Sequence, residues 1–510
     1  MKEYVINEGA LETRIALLDQ RRLVELTIER LEERSIVGNV YKGRVDSIVP
    51  GIQAAFVDIG TDKNGFLYVA DIAAVEGTGD FDLEEAEGAP RSRSRKARRP
   101  NIEDILKRDQ NIMVQVQKDM LGTKGVRLTN FVTLPGRDIV LMPTVSQIGV
   151  SRKIDDEQER SRLKTILRAQ RKSRNFGLIV RTAGAGKSKE DIAADVKYLT
   201  RLWDKIKAKM EDKGSGYLLY EELGPILKTV RDSFTGDIER LTIDSELEYQ
   251  RIVEFLDNFA PHLKEHCKVY DSKRPIFDKF GVEEEIAKAL KRTVQLKSGG
   301  HICIDQTEAL VAIDVNTGKF TGKKRLEDTV FRTNMDAAEE IARQVRLRDM
   351  GGIIVIDFID MEIAHNRRKL IAHLTDCLRD DRAKTTVSEV SELGMIEMTR
   401  KRVKHNLVRA LSQPCPYCEG SGMVRSVTTM TFDTLRMLQK LFCKSKEKRI
   451  ILQVHPDVAR RLRTENKELL DDIERQFDRE IIVESVSDFH IHDTVVLSAR
   501  TRKEVATHDD

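Results

Sequence analysis

Two short apolar runs in the middle of the chain, each ending at an aspartate, dominate the pattern of hydrophobic and polar positions. Residues 309–313 and 353–356 are rich in β-branched side chains and are followed by Asp314 and Asp357, a pattern typical of buried strands. Between them, residues 328–350 contain no Gly or Pro, carry apolar side chains at near-helical spacing and end at a Gly-Gly pair, which predicts a helix. Strand, helix and strand in this order predict a crossover unit with parallel strands.

In such a unit Asp314 and Asp357 would lie at the same carboxyl edge of one sheet, where α/β folds bind ligands. Asn316 stands two residues after Asp314, so its side chain lies on the same face of the strand. Adjacent carboxylates repel unless a cation neutralises them, and oxygen ligands favour a hard cation such as Mg²⁺. The pattern therefore predicts metal-assisted phosphodiester chemistry. The alternative is that each aspartate only caps a strand end or a following helix.

The start of the chain predicts an incomplete unit. Residues 1–35 predict two strands, at 13–18 and 22–28, followed by a helix at 29–34. This segment is too small to bury a core of its own. We therefore expect it to pack on a later part of the chain, for which the largely helical, charged stretch at 226–289 is the candidate.

Residues 36–128 change to short strands separated by Gly and Asn-Gly turns, which is typical of a small barrel. Phe56 and Phe66 stand among basic residues that include Lys124, and aromatic side chains among cations on an OB-type barrel form a stacking surface for single-stranded nucleic acid. The alternative places both Phe side chains in the core. The segment 73–105, acidic and then basic, predicts an exposed insertion loop.

A Gly-rich stretch at 178–188 follows a predicted strand and resembles a phosphate-binding loop. A Walker A loop needs a Gly five positions before Gly186, and Arg181 stands there, so that motif fails. The Arg181 guanidinium, the Thr182 hydroxyl and backbone N–H groups nevertheless suit an anion. A plain strand-to-helix turn is the alternative, and a P-loop-like ATPase remains a rival function.

Cys415 and Cys418 form the C-x-x-C pair of the chain and are followed by Glu-Gly-Ser-Gly. A thioredoxin-like redox pair would instead open a helix after an early strand, so the flanking residues favour a zinc knuckle. Structural zinc needs four ligands. A second copy of the chain, related by a two-fold axis, would complete the set. Residues 425–510 predict a small αβ unit with no recognisable chemical arrangement.

Composition limits the remaining function classes. The net charge of the 510 residues is +3, so nucleic-acid binding has to come from local patches rather than from a polycationic chain. No apolar run approaches a membrane-spanning length, and the N-terminus lacks the apolar region of a secretory signal. Only 6 cysteines are present, which favours a reducing, cytoplasmic location.

Taken together, five motifs resemble the ribonuclease E/G family across nearly the whole chain. They are the segments 53–58, 178–184, 312–316, 347–361 and 415–422. The chain ends soon after its small C-terminal unit, which resembles the shorter of the family's two types. The basic Arg/Ser run inside 73–105 lies outside these motifs.

The resemblance implies a multidomain α/β and β fold. Its expected parts are a split RNase H-like subdomain (1–35 and 226–289), an S1 (OB-type) barrel (36–128), a 5′-sensor subdomain (129–225), a DNase I-like catalytic subdomain (290–411), a zinc-link (412–424) and a small C-terminal domain (425–510).

The resemblance also implies a function. It is that of an Mg²⁺-dependent endoribonuclease that cuts single-stranded AU-rich RNA, is stimulated by a 5′-monophosphate, and acts in rRNA processing and mRNA turnover. Cleavage would leave a 5′-phosphate and a 3′-hydroxyl. A non-catalytic RNA-binding scaffold is the other rival.

Residue by residue, the resemblance assigns roles to the motif positions. The expected assignments are Mg²⁺ binding by Asp314 and Asp357, orientation of the site by Asn316, RNA binding by Phe56, Phe66 and Lys124, 5′-phosphate binding by Arg181, Thr182 and the backbone of Gly136 and Val140, and Zn²⁺ binding by Cys415 and Cys418. The zinc would be shared between two chains, which implies a homodimer; further pairing into a tetramer is left open.

Overall fold

The structure is a computed structural model, and it describes residues 1–33, 35–72, 101–119, 125–171, 176–212, 216–317, 326–391, 394–402, 406–445 and 447–507. The chain divides into two compact units, residues 1–407 and 408–510. Among the helices of the described residues, none combines the length and the apolar character needed to cross a membrane.

The first part of the chain is almost entirely β. Its elements are β1 (Lys2–Glu8), β2 (Glu12–Asp19), β3 (Arg22–Arg30), β4 (Val40–Val49), β5 (Ala54–Asp58), β6 (Gly65–Tyr68), helix α1 (Ile102–Ile105), β7 (Asn111–Lys118) and β8 (Arg127–Thr129). Strands β4-β5-β6-β8-β7 follow one another in a sheet, and β4 also pairs with β7. The sheet therefore closes into a five-stranded barrel, which confirms the small barrel predicted from the turn pattern.

Two local predictions in this part are wrong. In the segment predicted as a helix at 29–34, β3 continues to Arg30, and a 3-10 turn follows at Leu31–Glu33. Arg30 pairs with Glu12 of β2 in the sheet and donates from Nε to its Oε2 at 3.1 Å, and this cross-strand pairing overrides local helix propensity.

The end of the predicted insertion loop is also folded. Ile102 of α1 is fully buried in the barrel core, and its backbone N–H donates to Gln53 Oε1 at 3.0 Å. Apolar side chains at Ile102, Ile105 and Leu106 give this short stretch a helical apolar face. The remainder of the predicted loop, at 73–100, lies outside the described residues.

The next region packs two helices on a small sheet. Its elements are β9 (Leu134–Pro135), β10 (Ile139–Met142), β11 (Ile148–Val150), α2 (Glu157–Arg171), β12 (Gly177–Val180), α3 (Lys189–Asp212) and β13 (Tyr217–Tyr220). The sheet has the order β11-β12-β10-β9, and β13 returns to pair with β4 of the barrel. Leu163 and Leu167 of α2 and Leu199 of α3 are fully buried in one core with the strands.

Residues 225–289 complete the sheet that the N-terminus begins. They form α4 (Pro225–Ser233), β14 (Ile238–Ile243), α5 (Glu246–Phe259), β15 (Cys267–Val269), α6 (Ile276–Lys279) and α7 (Val282–Ala289). β1 pairs with β14 in parallel, and the sheet order is β15-β14-β1-β2-β3. One core, with Ile6, Phe234 and Ile243 fully buried, therefore joins the first segment of the chain to this later one.

The last region of the larger unit contains the strand–helix–strand pattern. Its elements are β16 (Thr293–Gln295), β17 (His301–Gln306), β18 (Leu310–Asn316), α8 (Leu326–Leu347), β19 (Gly352–Asp357), α9 (Ala364–Cys377), β20 (Thr385–Val390) and β21 (Ile396–Arg400). The sheet order is β16-β17-β18-β19-β21-β20, and β18 and β19 are parallel. This confirms the predicted crossover. The helices α8 and α9 share a core with one face of the sheet.

A short helix, α10 (Leu407–Leu411), spans the boundary between the units. The smaller unit contains α11 (Val427–Lys444), β22 (Arg449–Val454), α12 (Pro456–Arg463), α13 (Lys467–Phe477), β23 (Glu480–Ser485), β24 (Thr494–Ser498) and β25 (Glu504–Thr507). Its sheet has the order β23-β22-β24-β25, and the predicted small αβ unit is confirmed.

Candidate functional site

The two aspartates predicted to meet do lie side by side. Asp314 of β18 and Asp357, the last residue of β19, are direct partners in the parallel register, and neighbouring strands of a sheet lie about 4.8 Å apart. Both side chains are exposed, whereas the preceding Ile313 and Ile356 are buried against the helices. The alternation along each strand therefore places both carboxylates on the open face of the sheet.

Asn316 completes the arrangement on β18. Its Nδ2 donates a hydrogen bond to Asp314 Oδ2 at 2.6 Å, which fixes the orientation of that carboxylate. The donor set fits Mg²⁺, because two adjacent carboxylates on an open face supply hard oxygen ligands and leave room for water and phosphate. Within the described residues no cluster of three or more His, Cys, Asp or Glu side chains is arranged for a metal, so most of the coordination would come from water and substrate.

The barrel carries an exposed aromatic surface. Phe56 of β5 and Phe66 of β6 are register partners, and their ring centroids lie 5.3 Å apart in an edge-to-face arrangement. Both are half-buried, whereas their neighbours Val57 and Leu67 are fully buried. The alternative that both Phe side chains belong to the core is therefore wrong. Lys124 lies outside the described residues.

Sequence reasoning missed a third member of this surface. The Tyr68 ring packs against Phe66 with centroids 4.4 Å apart, and the Arg127 guanidinium lies 5.2 Å from the Tyr68 centroid. Arg127 is held in place by Asp71, with Nη2 and Oδ2 2.9 Å apart. The signal was available, because Tyr68 follows Phe66 by two positions on one strand and so shares its face. We call Phe56, Phe66 and Tyr68 the aromatic row.

The anion-binding residues predicted after β12 also converge. Arg181 Nη1 donates to the carbonyl oxygen of Gly136 at 2.8 Å and to Asp232 Oδ1 at 2.6 Å. The Thr182 hydroxyl lies 2.9 Å from the hydroxyl of Ser151 and opens a 3-10 turn at Thr182–Gly184. The structure thus joins Arg181 to Gly136, which is remote in sequence, and adds Asp232, which sequence reasoning did not find.

Asp195 of α3 supports the turn that carries Gly136. Its Oδ2 accepts hydrogen bonds from the backbone N–H groups of Asp138 and Ile139, both at 2.9 Å. A Cβ at Gly136 would lie 2.4 Å from Asp195 Oδ1, so this position requires glycine. Burial raises the pKa of Asp195 to about 6. Val140 lies further along β10 with its side chain buried. Sequence reasoning did not find Asp195, although an acidic residue at a core-facing position of α3 was a signal for it.

The cysteine pair lies in turns between α10 and α11. Cys415 is exposed and Cys418 half-buried, and the Gly422 N–H donates to Cys418 Sγ at 3.3 Å. Hydrogen bonds from the backbone of Gly422 and then Gly420 lower the pKa of Cys418, which favours the thiolate that binds metal. The His490 ring bonds to the carbonyl oxygen of Tyr417, so this segment docks on the loop before β24.

Comparison with known proteins gives a consistent result. Residues 133–403 match the model of the ribonuclease E/G family, and residues 414–499 match the RNase E/G thioredoxin-like domain. The chain is 41% identical over 472 residues to ribonuclease G of Escherichia coli strain K12, covering 92% of this chain and 94% of that protein. It is 39% identical over 473 residues to ribonuclease G of Haemophilus influenzae, with the same coverage of 92% and 94%.

The chain is also similar to a longer relative. It is 36% identical over 484 residues to ribonuclease E of Escherichia coli strain K12, which covers 94% of this chain but 44% of that protein. Both the family model and the full-length similarity to ribonuclease G lead to one conclusion. The chain belongs to the ribonuclease E/G family.

Proposed function

We propose that this endoribonuclease cuts single-stranded, AU-rich RNA with the help of Mg²⁺ held by Asp314 and Asp357, leaving a 5′-phosphate and a 3′-hydroxyl. The observation that carries the proposal is the register pairing of the two aspartates on the open face of the sheet. Bound there, Mg²⁺ would polarise the scissile phosphate and lower the pKa of a coordinated water.

The residues of the chain prepare this site. Asn316 holds the Asp314 carboxylate in one orientation through its 2.6 Å hydrogen bond, so little reorganisation is needed when the cation and substrate bind. The aromatic row is proposed to hold the substrate by stacking on its bases, together with Lys124. A duplex is excluded, because paired bases cannot splay onto aromatic side chains. AU-rich segments are favoured because their weak pairing leaves them open.

We further propose that Arg181 and Thr182, with the backbone of Gly136 and Val140, bind the 5′-monophosphate of the substrate and stimulate cleavage. The proposal is supported by the anchoring of the Arg181 guanidinium on Gly136 and by the hydroxyl pair of Thr182 and Ser151. Guanidinium and hydroxyl donors side by side suit phosphate oxygens. Arg181→Gln should then remove the rate difference between 5′-phosphorylated and 5′-hydroxyl RNA.

We propose that Cys415 and Cys418 supply two of the four ligands of a structural Zn²⁺, and that a second copy supplies the other two. The lowered pKa of Cys418 and its N–H···S bond from Gly422 are features that suit a thiolate ligand. The result would be a homodimer on a two-fold axis. Whether dimers pair into tetramers is a matter for native mass measurement.

The rival functions predict different outcomes in simple assays. The test of the central proposal is cleavage of a short 5′-phosphorylated single-stranded oligonucleotide with Mg²⁺, with chelator, and with its duplex form, followed by analysis of the product ends. Mg²⁺-dependent cutting of the single strand alone supports the proposal, and binding without cutting supports a scaffold. A P-loop-like ATPase would hydrolyse ATP. In cells, we expect loss of the protein to leave unprocessed rRNA ends and longer-lived mRNA.

A further inference from the structure

The guanidinium of Arg181, proposed to bind the 5′-phosphate, already donates a hydrogen bond to a carboxylate of the protein. Asp232, in α4, accepts a hydrogen bond at Oδ1 from Arg181 Nη1 at 2.6 Å. Both side chains remain reachable by solvent, with exposed fractions of 30% for Asp232 and 18% for Arg181. A phosphate that approaches Arg181 therefore meets a fixed negative charge beside the guanidinium.

The position of Asp232 is fixed by buried neighbours. Arg231 donates from Nε to Asp232 Oδ1 at 2.9 Å and from Nη2 to Oδ2 at 3.2 Å. Arg231 is itself only 5% exposed and is paired with Glu222, whose Oε1 lies 2.7 Å from Nη1. A buried ion pair of this kind is costly to rearrange, so Asp232 is not free to swing away from Arg181.

Asp232 is also charged under ordinary conditions. Burial by itself would raise the pKa of Asp232, but the hydrogen bonds and charges of Arg231, reinforced by Arg181, outweigh it and lower the pKa below its usual value. The guanidinium charges of Arg181 and Arg231 are thus balanced by the carboxylates of Asp232 and Glu222. These four side chains together therefore carry no net charge, and the Arg382 guanidinium also acts electrostatically on Asp232.

We propose that Asp232 is a specificity-determining residue of the 5′-end site, whose fixed carboxylate limits how much negative charge Arg181 accepts. The inference rests on the proposed function of Arg181 as the 5′-phosphate ligand. A terminal monophosphate carries about two negative charges at neutral pH, and a triphosphate carries more. Repulsion grows with ligand charge, so Asp232 excludes the triphosphate end more strongly than the monophosphate end.

A purely structural role for Asp232 gives the opposite prediction. If the carboxylate only orients Arg181, its neutral replacement weakens binding of every 5′-phosphorylated end. If the carboxylate sets charge selectivity, Asp232→Asn keeps an oxygen acceptor for Arg181 but removes the repulsion. Binding of phosphorylated ends then becomes tighter, and more so for the triphosphate.

The experiment measures the affinity of one non-cleavable, 2′-O-methylated oligonucleotide in three forms, with 5′-hydroxyl, 5′-monophosphate and 5′-triphosphate ends. The proteins are the full chain, Asp232→Asn, Asp232→Glu, Arg181→Gln and the control Glu239→Gln. Glu239 is an exposed carboxylate on β14, so its replacement changes the net charge equally without touching Arg181. Thermal unfolding of each variant verifies that it is folded.

We expect Asp232→Asn to bind the monophosphate end about threefold to tenfold more tightly and to narrow the preference for monophosphate over triphosphate by at least about threefold. Asp232→Glu, which keeps the charge, should retain the original preference, and Glu239→Gln should match the unmodified chain. Weaker binding of both phosphorylated ends by Asp232→Asn, or an unchanged preference, would overturn the inference. If the unmodified chain and Arg181→Gln bind all three ends alike, the 5′-end site itself is wrong, and the inference falls with it.

Discussion

The Asp195 carboxylate lies directly against Gly136, so that a Cβ at Gly136 would come within 2.4 Å of Asp195 Oδ1. The same carboxylate holds the turn through the N–H groups of Asp138 and Ile139. The carbonyl oxygen of Gly136 in turn anchors Arg181. A buried acid on α3 thereby positions the guanidinium proposed to bind the 5′ end.

The first prediction concerns Gly136→Ala. The added methyl group collides with the Asp195 carboxylate, and overpacking of this kind costs about 1–3 kcal/mol. We expect a lower melting temperature and loss of stimulation by a 5′-monophosphate, with cleavage of 5′-hydroxyl RNA retained. Gly236→Ala is the control, because a Cβ there meets no atom within 4 Å. Full 5′-stimulation in Gly136→Ala would contradict the proposed role of this turn.

The second prediction concerns the pH dependence of stability. Burial raises the pKa of Asp195 from 3.8 to about 6, so the folded protein holds this proton more tightly than the unfolded chain does. The stabilisation from the proton is complete below about pH 4 and is lost as the pH rises through about 6. The full effect is about 3 kcal/mol. Denaturant unfolding at several pH values should show this loss of stability, and Asp195→Asn should reduce it by about that amount, with a contribution left from Asp138, whose pKa burial also raises. An identical loss in Asp195→Asn would mean that another group is responsible.

The third prediction concerns the aromatic row. Base stacking on an aromatic side chain contributes about 1–3 kcal/mol per base, so Phe66→Ala and Tyr68→Ala should each weaken binding of single-stranded RNA about fivefold or more. Tyr68→Phe should keep most of the affinity for single-stranded RNA, because the aromatic ring is retained. Phe432, an exposed aromatic residue of α11, provides the control variant Phe432→Ala. Unchanged affinity in Tyr68→Ala would remove Tyr68 from the RNA-binding surface.

The fourth prediction concerns the proposed zinc-link. Metal analysis combined with native mass measurement should find about one zinc for every two chains. Cys418→Ser should lose the zinc and shift the protein toward monomers, because a thiolate is replaced by a weak ligand. Cys443→Ser, at another exposed cysteine, should retain both zinc and dimer. Zinc-free dimers of the unmodified chain would refute the shared site.

The sequence predicted those features whose determinants are local. β-branched runs that stop at Asp314 and Asp357, with a helix between them, were enough to predict parallel strands and adjacent carboxylates. A small barrel was predicted in the same way from short strands and turns, and the structure gives it five strands. β1, at Lys2–Glu8, was missed although it pairs with the adjacent β2; its other partner, β14, lies more than two hundred residues further along the chain.

Long-range contacts explain most of what sequence reasoning missed in the candidate site. Asp232 reaches Arg181 from 51 residues further along the chain, and Asp195 reaches Asp138 from 57 residues away. No local pattern marks the contact of Asp232, and for Asp195 the sequence shows only an acidic residue at a core-facing position of α3. Tyr68 is different, because it stands two positions after Phe66 on the same strand and therefore shares its face. The predicted role of Lys124 concerns a residue outside the described ranges.

The central claim is that Asp314 and Asp357 together hold the ion that drives cleavage, and single-turnover kinetics of Asp357→Asn test it most directly. The measurement compares the cleavage rate and the RNA affinity of this variant with those of the unmodified chain at saturating Mg²⁺. We predict that cleavage falls by about a thousandfold or more, since metal ions supply several kcal/mol of transition-state stabilisation, while RNA affinity stays within about threefold. Cleavage at a rate close to that of the unmodified chain would contradict the account.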